Sequence, residues 1–99
     1  AQSVRRWENP AGEVDIVAES APGKAVLFGE CKYRNAPMGL GDFLRLKAKA
    51  EKYPAGKRFY ALFSKEGFES PVIELAATPE EHLQLFTLSE LCAPWPEVR

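Results

Sequence analysis

The chain has 99 residues, 45% hydrophobic and 27% charged, with a formal net charge of −1; that length suits one domain with one core and is too short for two. No apolar run approaches the roughly 20 residues of a bilayer span, and the two cysteines, Cys31 and Cys92, are too few for a disulfide scaffold and wrongly spaced for a zinc site. The charge is uneven: residues 1–58 hold 11 Lys/Arg against 7 Asp/Glu and residues 59–99 hold 2 against 7, so the first half could dock a polyanion, although charge scattered over solvated faces gives the same count.

The opening residues contain no signal-peptide core. With no initiator Met, the chain reads as a piece of a longer protein. Reduced cysteines and no membrane segment place the expected domain in the cytoplasm. Residues 4–8 read as a strand, and Asn9-Pro10-Ala11-Gly12 as a turn. Residues 13–18 alternate polar and apolar side chains and predict a second strand. After a turn at Ala21-Pro22-Gly23-Lys24, residues 25–33 form a nearly continuous apolar run ending in charges. That pattern predicts a central strand buried on both faces, whose end emerges at a site. The three strands make a meander.

Pro37-Met38-Gly39 breaks the chain, and residues 40–53 turn helical. Leu40, Phe43, Leu44 and Ala48, with Ala50 beside them, form the expected apolar stripe, with Arg45, Lys49 and Lys52 largely outside it. Pro54-Ala55-Gly56 ends the helix. Residues 58–64 predict a fourth strand, parallel to the third because a helix joins them. Ser70-Pro71 reads as an N-cap followed by Pro at the first helical position of a short helix through residue 77. Residues 82–87 predict a fifth strand, and residues 88–91 a last helical turn before an irregular Pro94-Trp95-Pro96 tail.

The chemistry concentrates at Asp15 and, 15 residues later, at Glu30-Cys31-Lys32. Strand side chains alternate faces, so Glu30 and Lys32 share one face and Cys31 takes the other. The short hairpin between the strands can set Asp15 beside Glu30. Two carboxylates and an ammonium would then meet at one end of an apolar sheet. A hard cation such as Mg²⁺ takes one or two carboxylates plus waters and phosphate oxygens. Asp15 and Glu30 supply the carboxylates, and the backbone carbonyl of Cys31 is a further candidate ligand. Lys32 is placed to orient the attacking water or stabilise charge on phosphorus.

The stretch 12–18, a short turn, and then Leu27-Phe28-Gly29-Glu30-Cys31-Lys32 together resemble the PD-(D/E)XK nuclease superfamily. They are similar to its Holliday-junction-resolvase-like and restriction-endonuclease-like members. More narrowly, these two segments with Tyr33 resemble a domain of unknown function at the C-terminus of archaeal-type AAA-superfamily ATPases, which also occur in bacteria. The resemblance implies an α/β fold with a restriction-endonuclease-like αβββαβ core, a mixed sheet flanked by helices, over a single domain spanning residues 1–99. It implies Asp15 and Glu30 as ligands of Mg²⁺ or Mn²⁺ and Lys32 as catalytic. Val14 stands where the family has Pro. The family's first helix, which often carries an acid, would precede this chain, and no P-loop is present.

The expected function is metal-dependent hydrolysis or binding of nucleic acid, DNA foremost, by a domain attached to the ATPase portion of its own chain. The alternatives are a non-catalytic DNA- or protein-binding module of the same fold and a dimerisation or regulatory domain with vestigial acids; a homodimer fits any of these, a membrane none. Glu13 shares the parity of Asp15 and is an auxiliary acid or a hairpin surface charge. Lys47 reaches toward phosphates or lies along apolar surface. Arg5, Arg6, Arg34, Arg45 and Lys49 are candidate phosphate contacts that solvated charges would mimic. Trp7 and Tyr33 are candidate stacking platforms or packing residues. His82, the sole histidine, has no assigned role.

Overall fold

A computed structural model describes residues 3–8, 13–20 and 24–88; for residues 3–8, 13 and 14 only the backbone is described. β1 (Ser3–Glu8), β2 (Glu13–Glu19) and β3 (Ala25–Lys32) form an antiparallel meander. α1 (Leu40–Ala50) leads into β4 (Lys57–Ser64), which runs parallel to β3. α2 (Ser70–Ala76) and a 3₁₀ turn at Pro79–Glu81 lead to β5 (Leu83–Thr87), parallel to β4. The result is an α/β fold with one mixed five-stranded sheet in sequence order. The expected meander and the parallel crossover are both present. The turns at 9–12 and 21–23, the helical turn beyond Leu88, Cys92 and the tail lie outside the described residues.

Element ends shift for local reasons. α1 stops at Ala50 rather than residue 53, because Arg58 donates to the carbonyls of Ala50 (3.2 Å) and Tyr53 (2.6 Å) and satisfies helix-end acceptors. Glu69, not Ser70, is the N-cap of α2, so Ser70 and Pro71 are its first helical residues. The Glu69 amide is held by the Met38 carbonyl at 2.9 Å, and the Met38 amide donates to Gly67 at 3.0 Å. Met38 and Phe68 thereby form a parallel bridge between the loops that follow β3 and β4. Gly67 allows the tight return with φ +90°, where other residues would be strained. His82 closes the 3₁₀ turn in the left-handed region at φ 52°, which delays β5 to Leu83.

Alternation along the strands divides the sheet into two unlike faces. Val17, Val26, Phe28, Tyr60, Leu62 and Leu83 are buried with Phe43, Leu46 and Ala50 of α1 and Val72 of α2. Both helices therefore cover the same face. The Phe43 ring meets Tyr60 edge-on at 5.4 Å, and Phe28 lies 5.6 Å from Tyr53 and 6.1 Å from Tyr60. Each such side chain contributes about 1.5–3 kcal/mol on burial.

Two expectations are corrected here. β3 is central in the sheet but fully covered on one face only: Leu27 is exposed and Cys31 half-buried on the other. On that side Phe63 stacks on Phe86 at 5.1 Å, and neither α1 nor α2 packs there. The stripe of α1 is also rotated. Asp42, Phe43, Leu46 and Ala50 are buried, whereas Leu44 is 52% exposed and Ala48 exposed. The buried set follows helical spacing once a charged residue, Asp42, is admitted to it. No described helix is long and apolar enough to cross a membrane.

The rotated stripe has a direct test in urea unfolding. Leu46→Ala is expected to lose about 2–5 kcal/mol, and Leu44→Ala to stay within about 0.5 kcal/mol of the parent. The reverse order would restore the stripe centred on Leu44.

Candidate active site

Asp15 and Glu30 are direct partners in the β2–β3 register. The hairpin thus brings the two acids side by side on the helix-covered face, as the alternation argument requires. Glu30 and Lys32 share that face, with Lys32 Nζ 3.5 Å from Glu30 Oε2. Cys31 between them takes the opposite face and is half-buried. The site sits at the carboxyl ends of the parallel strands β3 and β4, the usual ligand-binding edge of an α/β sheet.

Lys32 is 4% exposed and Glu30 2%. An ammonium taken from water into such surroundings is tolerated only with close, hydrogen-bonded counter-charge. The second counter-charge is Asp42, whose Oδ1 lies 2.8 Å from Lys32 Nζ. Asp42 is the third residue of α1. Its Oδ2 accepts from the Gly39 amide at 2.8 Å, capping the helix start. Arg34 reaches Oδ2 at 3.2 Å, and Arg45 pairs with Oδ1 from the next turn. Burial pushes the Asp42 carboxyl toward protonation. The hydrogen bonds from Lys32 and Gly39 and the charges of Lys32 and Arg34 outweigh it and hold the group below the ordinary aspartate range.

On the other side of Glu30 stands Lys49. Its Nζ is 2.8 Å from Asp15 Oδ2 and 3.8 Å from Glu30 Oε1. Asp15 and Lys49 border a cleft of about 270 Å³ floored by Phe28, Leu46 and Tyr53. Acid and base alternate across the site: Asp15, Lys49, Glu30, Lys32, Asp42, then Arg34 and Arg45. The mouth is open, with Asp15 31% and Lys49 49% exposed, while the interior is dry. Among the described residues this array links three carboxylates with four cations.

The remaining candidates fall in different places. Arg34 and Arg45 keep part of each side chain in solvent beside Asp42. Lys47 pairs with Glu81 at 3.3 Å next to β5 and covers the Phe43 ring, on the other side of α1 from Asp15. Glu13 is opposite Lys32 in backbone register, but its side chain, like those of Arg5, Arg6 and Trp7, lies outside the described residues. Tyr33 is exposed under Lys65, 4.9 Å from its ring. His82 packs against Phe59.

Among the described residues no group of three or more acid, His or Cys side chains could hold a metal. The ligands expected from the sequence would be two carboxylates, Asp15 and Glu30, with the Cys31 carbonyl between Glu30 and Lys32 in β3. Such a set fits a hard ion that keeps most of its waters, Mg²⁺ or Mn²⁺, and does not fit a soft one.

Sequence reasoning missed Asp42. Two signals pointed to it: an acid in the first turn of a helix at the capping-box position, and a place in the buried stripe four residues before Leu46.

A family model, DUF234, described as archaeal and bacterial proteins of unknown function, matches residues 1–53. The matched stretch carries Asp15, Glu30, Lys32, Asp42 and Lys49. No curated protein and no solved structure matches the chain.

Asp42→Ala removes the closest counter-charge of a buried ammonium and is expected to cost about 3–5 kcal/mol in urea unfolding. The lowered Asp42 pKa contributes stability that is present above the unfolded-state value and is lost as pH falls through the folded-state value. Stability measured from neutral to acid pH should therefore fall less steeply below the ordinary aspartate range in Asp42→Asn than in the parent. Parallel curves would remove Asp42 from the acid response.

Proposed function

The chain belongs to the DUF234 family of archaeal and bacterial proteins of unknown function, and from that premise we propose that it is a PD-(D/E)XK-type nuclease domain with a restriction-endonuclease-like site that acts on nucleic acid phosphodiesters, DNA foremost. The observation that carries the reading is the direct cross-strand pairing of Asp15 with Glu30, with Lys32 on the same face. Asp15 and Glu30, with the Cys31 carbonyl, would hold Mg²⁺ or Mn²⁺. Such an ion supplies acidity to a bound water and neutralises charge on the phosphate.

The protein's own groups do the rest. Asp42 fixes the Lys32 ammonium in place. Lys32 then faces the edge where charge develops on a phosphate and can donate a hydrogen bond to it without reorganising. Glu30 stays aligned because Lys32 flanks it. Arg34 and Arg45 add partly exposed guanidinium groups suited to backbone phosphates. The resemblance to the C-terminal domain of archaeal-type ATPases extends the proposal: the domain would work with an ATPase portion of its own chain.

A second reading is a non-catalytic module of this fold that binds DNA or a protein, or dimerises, to regulate that ATPase. It is favoured by Lys49, a built-in cation in contact distance of both acids.

Titration with Mn²⁺ is expected to give a saturable transition that Asp15→Ala and Glu30→Ala abolish. Lys32→Gln, checked for folding by circular dichroism, should keep that transition and lose about 10²–10³-fold in cleavage of plasmid or branched DNA. Metal binding without cleavage by the parent protein would favour the second reading. Equal loss of metal and cleavage in Lys32→Gln would remove the role given to Lys32.

A further inference from the structure

We propose that Lys49 is a tethered cation that holds the Asp15–Glu30 pair in the absence of metal and competes with the divalent ion for it. The inference rests on the reading of those two acids as the metal pair, and it adds a residue that tunes how tightly the pair takes an ion.

The geometry carries it. Lys49 Nζ sits 2.8 Å from Asp15 Oδ2 and 3.8 Å from Glu30 Oε1, so one ammonium addresses one oxygen of each acid. A cation shared by the two carboxylates would draw on the same two groups and meet the Lys49 charge beside them. Lys49 comes from the penultimate residue of α1, two turns beyond Asp42. The helix therefore sets one cation-binding acid inside the site and one cation at its mouth. The rest of the ladder explains why Lys49, not Lys32, is the exchangeable group. Lys32 is buried and bound on both sides, by Glu30 and Asp42. Lys49 is half exposed and can return its ammonium to water at small cost, because an exposed ion pair in high dielectric is weak. Without it, two adjacent carboxylates repel each other. With it they are compensated, and a divalent ion must displace it first.

Binding of Mn²⁺, followed by the electron paramagnetic resonance signal of the free ion, tests the competition. Lys49→Met removes the competitor and is expected to tighten Mn²⁺ binding about two- to fivefold, the equivalent of one exposed ion pair. Lys52→Met makes the same change of net charge at an exposed residue just past the end of α1 and should leave affinity unchanged. In the parent protein, labelling of Lys49 by an amine-reactive reagent, read by mass spectrometry, should rise when Mn²⁺ is added; this arm needs no variant to fold.

Equal Mn²⁺ affinity in Lys49→Met and parent, or equal tightening in Lys52→Met, overturns the competition and leaves the metal pair standing. Unchanged Lys49 labelling at saturating Mn²⁺ also overturns it. Failure of both parent and Lys49→Met to take Mn²⁺ overturns the competition together with the metal reading. Binding by Lys49→Met but not by the parent supports Lys49 as the occupant of the pair and makes the native domain the non-catalytic module.

Discussion

The Lys32 ammonium lies inside the protein, and the arrangement around it follows from what a buried charge requires. It is held between Glu30, two residues back on the same strand, and Asp42, in the first turn of the helix that follows. Both counter-charges offset the cost of removing that charge from water. The demand for both fixes where α1 begins and which way it faces. Once Asp42 points inward, Phe43, Leu46 and Ala50 fall on Phe28 and Tyr60. Seven residues beyond Asp42, Lys49 falls over Asp15. The core and the polar site are consequently set by one constraint.

The polar array grades from structural to exchangeable. Its inner members, Glu30, Lys32 and Asp42, are buried and paired in series. Its outer members, Asp15, Lys49, Arg34 and Arg45, meet solvent and can change partners. A site that binds a phosphate ester needs both kinds: fixed groups that do not reorganise as charge develops, and mobile ones that admit the ligand.

Much of this was legible in the sequence, for simple geometric reasons. Period-two alternation gave Glu30 and Lys32 a common face, and a short hairpin put Asp15 across from Glu30. The apolar run before Glu30 marked β3, and the helix after it implied the parallel β4. The failures share one cause. Pattern reading counts apolar residues and assigns charges to solvent, so Asp42 was passed over and the stripe was drawn through Leu44 instead of Leu46. Lys49 was read as a phosphate contact or a solvated charge and not as a partner of Asp15, which lies 34 residues earlier, a distance no local pattern spans. The one-sided burial of β3 was hidden because an apolar run looks alike whether one face or two are covered.

The bridge between Met38 and Phe68 ties the origins of both helices into a single knot. Glu69, which starts α2, hangs from the Met38 carbonyl; Gly39, which starts α1, is the next residue along and is gripped by Asp42. The two helices therefore cannot be steered independently. The segment from Met38 to Asp42 serves the starts of both helices and the carboxylate that grips Lys32 at once.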